Sequence, residues 1–168
     1  MQEVLLKWRS FINKFLDENL PSVSETSILE IGKSKIQSLE KKCPNRKVLD
    51  KYYDCDYKID LVGASQHINK KFDVVLCIEV LEHVEQPFIT ADEVVKLIKS
   101  GGYLIVSTPS FLFHHPMGEI CGDHWRFLPP KSHQLLFPSM RVIKQEVCHH
   151  ERARPLGMIS LMRKGSDV

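Results

Sequence analysis

The sequence lacks the features that announce several common classes of protein. No two of its five cysteines (Cys43, Cys55, Cys77, Cys121 and Cys148) form a CxxC pair. An odd, scattered set argues against a disulfide framework and for a reduced, cytoplasmic chain. No long apolar run is present. Charged residues interrupt MQEVLLKWRSFINKFLDENL at the N-terminus, which argues against a signal peptide or a membrane span. Charge of one sign is lacking as well: 23 Lys and Arg nearly balance 21 Asp and Glu. Only Arg152, Arg154, Arg163 and Lys164 gather near the end, and a nucleic-acid partner needs a denser basic face than that. Repeats, low-complexity tracts and dividing linkers are missing, so residues 1–168 suit one domain with a real core. Glycine is scarce where it would matter most. SILEIGKSKIQSLEKK, residues 27–42, reads as a buried strand, a turn and a helix. An α/β protein seats a nucleotide-like cofactor at such a turn, yet here only Gly32 serves it.

What is present is an alternation of strand and helix signals. Val4, Leu5, Trp8, Phe11, Ile12, Phe15 and Leu16 share one face of a helix over residues 1–20, closed by Pro21. That face packs on the domain's surface, covers a ligand site as a lid, or does both. Short strands are expected at 27–31, 47–53 and 60–63. FDVVLCI, residues 72–78, is a continuous apolar run of the kind buried on both faces of a parallel sheet. PFITADEVVKLIKSGG predicts a helix capped by Gly101 and Gly102, and YLIVSTP another buried strand. Residues 110–128 form a long segment rich in His, Gly and Pro, of a length that is usually functional or disordered. PKSHQLLF predicts a short helix, and MRVIKQEVCHH and RPLGMISLMRKG a closing antiparallel strand pair. The fold class is therefore α/β: a doubly wound, Rossmann-like, mostly parallel sheet with an antiparallel C-terminal strand pair. Its ligand belongs at the C-terminal ends of the early strands.

Asp50 follows the second strand, at the distance from the loop where an acidic residue holds ribose hydroxyls, although a plain surface aspartate reads equally well. CIEVLEHV follows the most buried strand. Continued as a helix, it sets Glu79, Glu82 and His83 on one face, able to ligate a divalent cation or to act as a base with its partner. The simpler alternative has Glu82 and His83 pairing locally while Val80, Leu81 and Val84 fill the core, and spacing alone favours it. His114, His115, Cys121 and His124 match no structural zinc spacing. In GDHWRF, Trp125 and Phe127 are expected as buried anchors, with Asp123, His124 and Arg126 facing a cleft.

ILEIGKSK, FDVVLCIEVLEHV and IKSGGYLIVSTP, in this order, resemble the motifs of class I S-adenosylmethionine-dependent methyltransferases, over about residues 27–137. The likeness is to the group that reads EVLEHV after its fourth motif strand. DHWRFLPPKSHQLL is similar to the segment that closes the active site in one branch of these enzymes. The resemblance implies S-adenosylmethionine as cofactor. Glu30, Gly32 and Ser34 then fall in the first loop, Asp50 at the ribose, Ala64 and Ser65 beside the adenine, and Ile78 and Glu79 beneath the cofactor. The sequence departs from the motif where Ser34 and Ile36 replace glycines and Ala64 replaces an aspartate. The implied reaction is methyl transfer to a hydroxyl or amine of a small molecule, such as a sugar or lipid-linked intermediate. His124, His115 or Glu79 would take the proton. Small-RNA 2′-O-methyltransferases and ubiquinone-pathway O-methyltransferases are similar at Glu79, Glu82 and His83, which implies a metal set in a minority reading. A methyltransferase-like module that binds a partner without catalysis is the alternative.

Overall fold

The computed structural model describes residues 2–20, 26–34, 36–112, 122–150 and 154–166. Its strands are β1 (Ile28–Ile31), β2 (Lys47–Leu49), β3 (Phe72–Ile78), β4 (Ile98–Pro109), β5 (Met140–His149) and β6 (Pro155–Lys164), and its helices α1 (Gln2–Asn19), α2 (Gln37–Lys42), α3 (Ala64–His67), α4 (Pro87–Lys96) and α5 (Ser132–Leu136). The strands form one sheet in the order β2-β1-β3-β4-β6-β5. β2, β1, β3 and β4 run parallel, and β6 and β5 close the sheet antiparallel to their neighbours. The α/β, mostly parallel class and its antiparallel ending are as the strand pattern predicts.

Alternate residues of β3 feed two different cores, as the two-residue period of a strand requires. Val74, Leu76 and Ile78 pack with Trp8, Ile12, Phe15 and Leu16 of α1. Val75 and Cys77 pack with Ala91 and Val94 of α4 and with Phe127 and Phe137. A strand covered on both faces has no solvent side, which is why FDVVLCI shows no polar alternation. α1 settles close because β6 offers Gly157 beneath it. A Cβ there would lie 2.6 Å from the Trp8 ring.

Four expectations need correction. Residues 60–63 are a turn into α3, not a strand: the Asp60 carboxylate accepts the Val62 N–H at 3.0 Å and Gly63 takes φ 83°. β2 stops at Leu49 because the Asp50 carboxylate takes the N–H groups of Tyr52 and Tyr53 (2.7 and 3.0 Å) and folds the chain back. EVLEHV makes a single 3-10 turn at Leu81–His83 rather than an α-helix, and the true helix begins at Pro87, which its predecessor cannot precede in helical conformation. Gly101 and Gly102 lie within β4 instead of capping α4. A Cβ on Gly102 would sit 2.9 Å from the Asp73 carbonyl of the neighbouring strand.

Candidate active site

From β1 the chain goes outward on one side to β2 and on the other to β3, so the C-terminal ends of β1 and β3 flank the crevice where such sheets bind ligands. Gly32 turns the chain at the end of β1 with φ 75°, and its N–H donates to the Leu49 carbonyl at 2.8 Å. A Cβ here would meet Val80 Cγ2 at 2.7 Å. Conformation and space therefore both demand glycine. The next positions do not. Among the described residues the one non-glycine with positive φ is Glu79, so Ser34 adopts no glycine-like conformation. Its N–H (3.0 Å) and its hydroxyl both donate to Glu30 Oε1. Arg46 Nε donates to the other oxygen of Glu30 at 2.5 Å and its guanidinium also reaches Glu40 at 2.6 Å. Glu30 is completely buried, so it fastens the loop to β1 and β2 rather than presenting an open acceptor. Ile36 is buried in the α1 layer.

Asp50 sits just beyond β2 with its carboxylate aimed at backbone. Oδ2 accepts the Lys33 N–H at 2.8 Å, and Oδ1 accepts Tyr52 and Tyr53. The aspartate thus joins the first loop to the turn after β2. Ala64 is fully buried and Ser65 donates its N–H to Glu93 of α4 at 3.0 Å, so both are held in the seam between α3 and α4. Ile78 is buried at the end of β3.

Glu79 stands at the mouth of the crevice with φ 55°, a conformation sparsely used by side-chain-bearing residues and concentrated at functional sites. Its N–H donates to the Ser107 carbonyl at 3.2 Å, and its Oε1 accepts the Ser107 hydroxyl at 2.9 Å. Its Oε2 accepts the indole N–H of Trp8 at 2.7 Å. The sequence alone points to neither Trp8 nor Ser107 as a partner of Glu79. Each sits in an ordinary buried pattern, and only the fold brings them to one carboxylate.

Glu82 is wholly buried, and neither of its carboxylate oxygens has a hydrogen-bond partner. Burial first, then the nearby carboxylates of Glu79 and Asp123, hold its carboxyl well above the usual range. His83 Nδ1 donates to the Gly122 carbonyl at 2.6 Å, and its Nε2 lies 3.9 Å from Glu82. Among the described residues no three His, Cys, Asp or Glu side chains converge in a metal-binding arrangement. Residues 122–127 are pinned over this turn. His124 and Trp125 donate their N–H groups to the Glu82 carbonyl (2.7 and 3.2 Å), and Phe127 donates to that of Pro109 at 3.1 Å. Phe127 is the buried anchor expected. Trp125 is not: it is 39% exposed, held by its indole N–H on the Val84 carbonyl at 2.8 Å. Asp123 and Arg126 form a two-pronged ion pair with each other. His124 is exposed. His114, His115 and Cys121 lie outside the described residues.

A family model described as "Methyltransferase domain" matches residues 6–154. The chain belongs to the methyltransferase domain family. Its fold is shared by the N-methyltransferase NodS from Bradyrhizobium japonicum in complex with S-adenosyl-L-homocysteine, with a TM-score of 0.68 at 18% identity over 94% of this chain and 87% of that one. The same fold carries the [4+2]-cyclase SpnF, with a TM-score of 0.61 at 11% identity over 93% and 80% of the two chains. Sequence similarity reaches ubiquinone biosynthesis O-methyltransferases. That of Xylella fastidiosa strain M23 is 38% identical over 65 residues, 38% of this chain and 26% of that protein. That of Cereibacter sphaeroides is 36% identical over 83 residues, 46% of this chain and 32% of that protein. The matched segments span about a quarter to a third of these curated methyltransferases. No helix among the described residues is long and apolar enough to cross a membrane.

The family's cofactor, S-adenosylmethionine, is a cation carrying a ribose diol, and the donor set of this methyltransferase domain fits it. Two carboxylates, Asp50 and Glu79, border the Gly32 turn, while Arg46 is engaged by Glu30 and Glu40 and so does not oppose a cationic ligand.

Proposed function

We propose that this chain, as a member of the EVLEHV group of class I methyltransferases, transfers a methyl group from S-adenosylmethionine to a hydroxyl or amine of a small molecule. The observation that carries the reading is the carboxylate of Glu79, held by donors on both oxygens at the switch point between β1 and β3. S-adenosylmethionine, when bound, supplies an electrophilic methyl on sulfur. The chain's own residues bind, orient and accept a proton. Gly32 lets a ligand's atoms approach the backbone of the first loop. Asp50 has about four acceptor positions on its two oxygens, and three backbone N–H groups take three of them, leaving one for a ribose hydroxyl. Glu79 faces the positive end of the ligand. His124 presents its imidazole to solvent beside the Glu82 turn, where it can take the acceptor's proton. His115, from the same 110–128 segment, is a second candidate base. Most of the rate enhancement then comes from alignment of methyl and acceptor.

The curated relatives are O-methyltransferases and NodS is an N-methyltransferase, which supports a hydroxyl or amine as the acceptor class. A second reading is a methyltransferase-like module that engages a partner without transfer. It is favoured by the full burial of Ala64 and Ile78, and by Val80 lying over Gly32. Isothermal titration with S-adenosylmethionine and S-adenosylhomocysteine separates the two. Methyl transfer requires both to bind more tightly than about 1 mM. Weaker binding of both refutes it in favour of the partner module.

A further inference from the structure

α1 contributes more than an apolar face. Trp8 is 2% exposed and packs its ring on the bare backbone of Gly157, yet its indole N–H is aimed away from that core, at Glu79 Oε2, 2.7 Å distant. A buried indole needs an acceptor, and a backbone carbonyl would have served. Here the acceptor is a carboxylate 71 residues along the chain, on the one described non-glycine residue with left-handed backbone. The other oxygen is fixed from the opposite side by Ser107 at 2.9 Å, and the Glu79 N–H is fixed by the Ser107 carbonyl. β4 and α1 therefore grip one carboxylate from two sides. A glutamate has three side-chain torsions, and two charge-assisted hydrogen bonds to separate elements leave it one direction.

We infer that Trp8 is a positioning residue: with Ser107 it locks the Glu79 carboxylate toward the cationic sulfonium end of S-adenosylmethionine, making the N-terminal helix part of the cofactor's charge recognition. This rests on the reading of the crevice as the cofactor site. The two ligands used to test that reading differ by one methyl group and one positive charge, so a carboxylate aimed at the sulfonium discriminates between them. A carboxylate that merely braces the fold does not.

The experiment is isothermal titration of the intact chain with S-adenosylmethionine and with S-adenosylhomocysteine, for the wild type, Trp8→Phe, Ser107→Ala, Glu79→Gln and the Trp8→Phe/Glu79→Gln double variant. Trp8→Phe removes the N–H donor together with the outer indole carbons that pack on Gly157, a packing loss that should weaken both ligands equally if it acts on binding at all. Trp8→Phe and Glu79→Gln should each weaken S-adenosylmethionine about tenfold and S-adenosylhomocysteine less than about threefold. In the Glu79→Gln background, Trp8→Phe should add less than about twofold, because the donor then acts on no charge. If Trp8→Phe fails to fold, as judged by its thermal transition, Ser107→Ala carries the same test from the other oxygen. Equal weakening of both ligands, or additive effects in the double variant, overturns the inference and leaves Trp8 a packing residue. Absence of binding of either ligand to the wild type overturns the cofactor-site reading itself, and the inference with it.

Discussion

His133 should make this chain acid-sensitive in a way that one substitution removes. The residue sits on α5 with no exposed surface, Nε2 2.8 Å from the Thr108 hydroxyl of β4 and Nδ1 2.8 Å from the Ser160 hydroxyl of β6. Gln145 of β5 donates to the same Ser160 oxygen at 3.0 Å. One imidazole thus bolts α5 to β4 and β6, and through Ser160 the bond chain reaches Gln145 of β5. Burial depresses its pKa from 6.5 to about 3. Below pH 6.5 the unfolded chain takes up a proton that the folded chain refuses, so stability falls as the pH drops, from about 6.5 toward 3. The loss is about 1.4 kcal/mol per pH unit, or roughly 3 kcal/mol by pH 4.5. His133→Gln keeps hydrogen-bonding capacity without the titration. At pH 7.5 the variant should be less stable by about 1–3 kcal/mol, through imperfect packing and one weakened bond. The gap should close and then reverse as the pH is lowered. Urea unfolding of both proteins at several pH values between 7.5 and 4.5 measures it, since carboxylate titrations common to the two cancel in the difference. Parallel stability curves would refute the buried neutral imidazole.

The other expectations concern the crevice. Gly32→Ala places a Cβ at positive φ against Val80, and denaturant unfolding should register a loss of about 1–3 kcal/mol; an unmoved midpoint would mean that Val80 yields freely. Ser34→Gly relieves no strain, so S-adenosylmethionine affinity by titration should stay within about twofold of wild type, and a tenfold gain would contradict the backbone conformation described. Asp50→Ala should weaken the cofactor and also cost about 1–3 kcal/mol of stability, because three backbone N–H groups lose their acceptor; a variant with wild-type affinity removes Asp50 from the site. The folded chain raises the Glu82 pKa above its ordinary value of 4.5, so stability is lost as the pH rises from about 4.5 toward the raised value. Glu82→Gln should therefore stabilise increasingly with pH in unfolding experiments, and a pH-independent difference would show that the carboxyl is ionised.

The strands that lie between two covered faces were legible because burial on both sides leaves a compositional mark: FDVVLCI and YLIVSTP contain little that water would accept. Where a polar side chain competes with the backbone, the mark fails. Asp50 and Asp60 are spaced like strand residues, but each captures N–H groups two or three positions on, and the chain turns there. The same failure changes the meaning of the first loop. A serine in place of a glycine reads as an impaired site if the position needs a left-handed backbone. In the first loop the left-handed residue is Gly32, the one non-glycine of that kind among the described residues is Glu79 just after β3, and Ser34 supplies two bonds to Glu30 that a glycine could supply only in part. The first loop is held by two sets of bonds: Ser34, Glu30 and Arg46 in one direction, and Lys33 through Asp50 in the other. Its rigidity comes from the side chains of Glu30 on β1 and of Arg46 and Asp50, which flank β2. A loop held in that way gives up conformational freedom, because its N–H groups at Gly32, Lys33 and Ser34 are taken by the Leu49 carbonyl, Asp50 and Glu30.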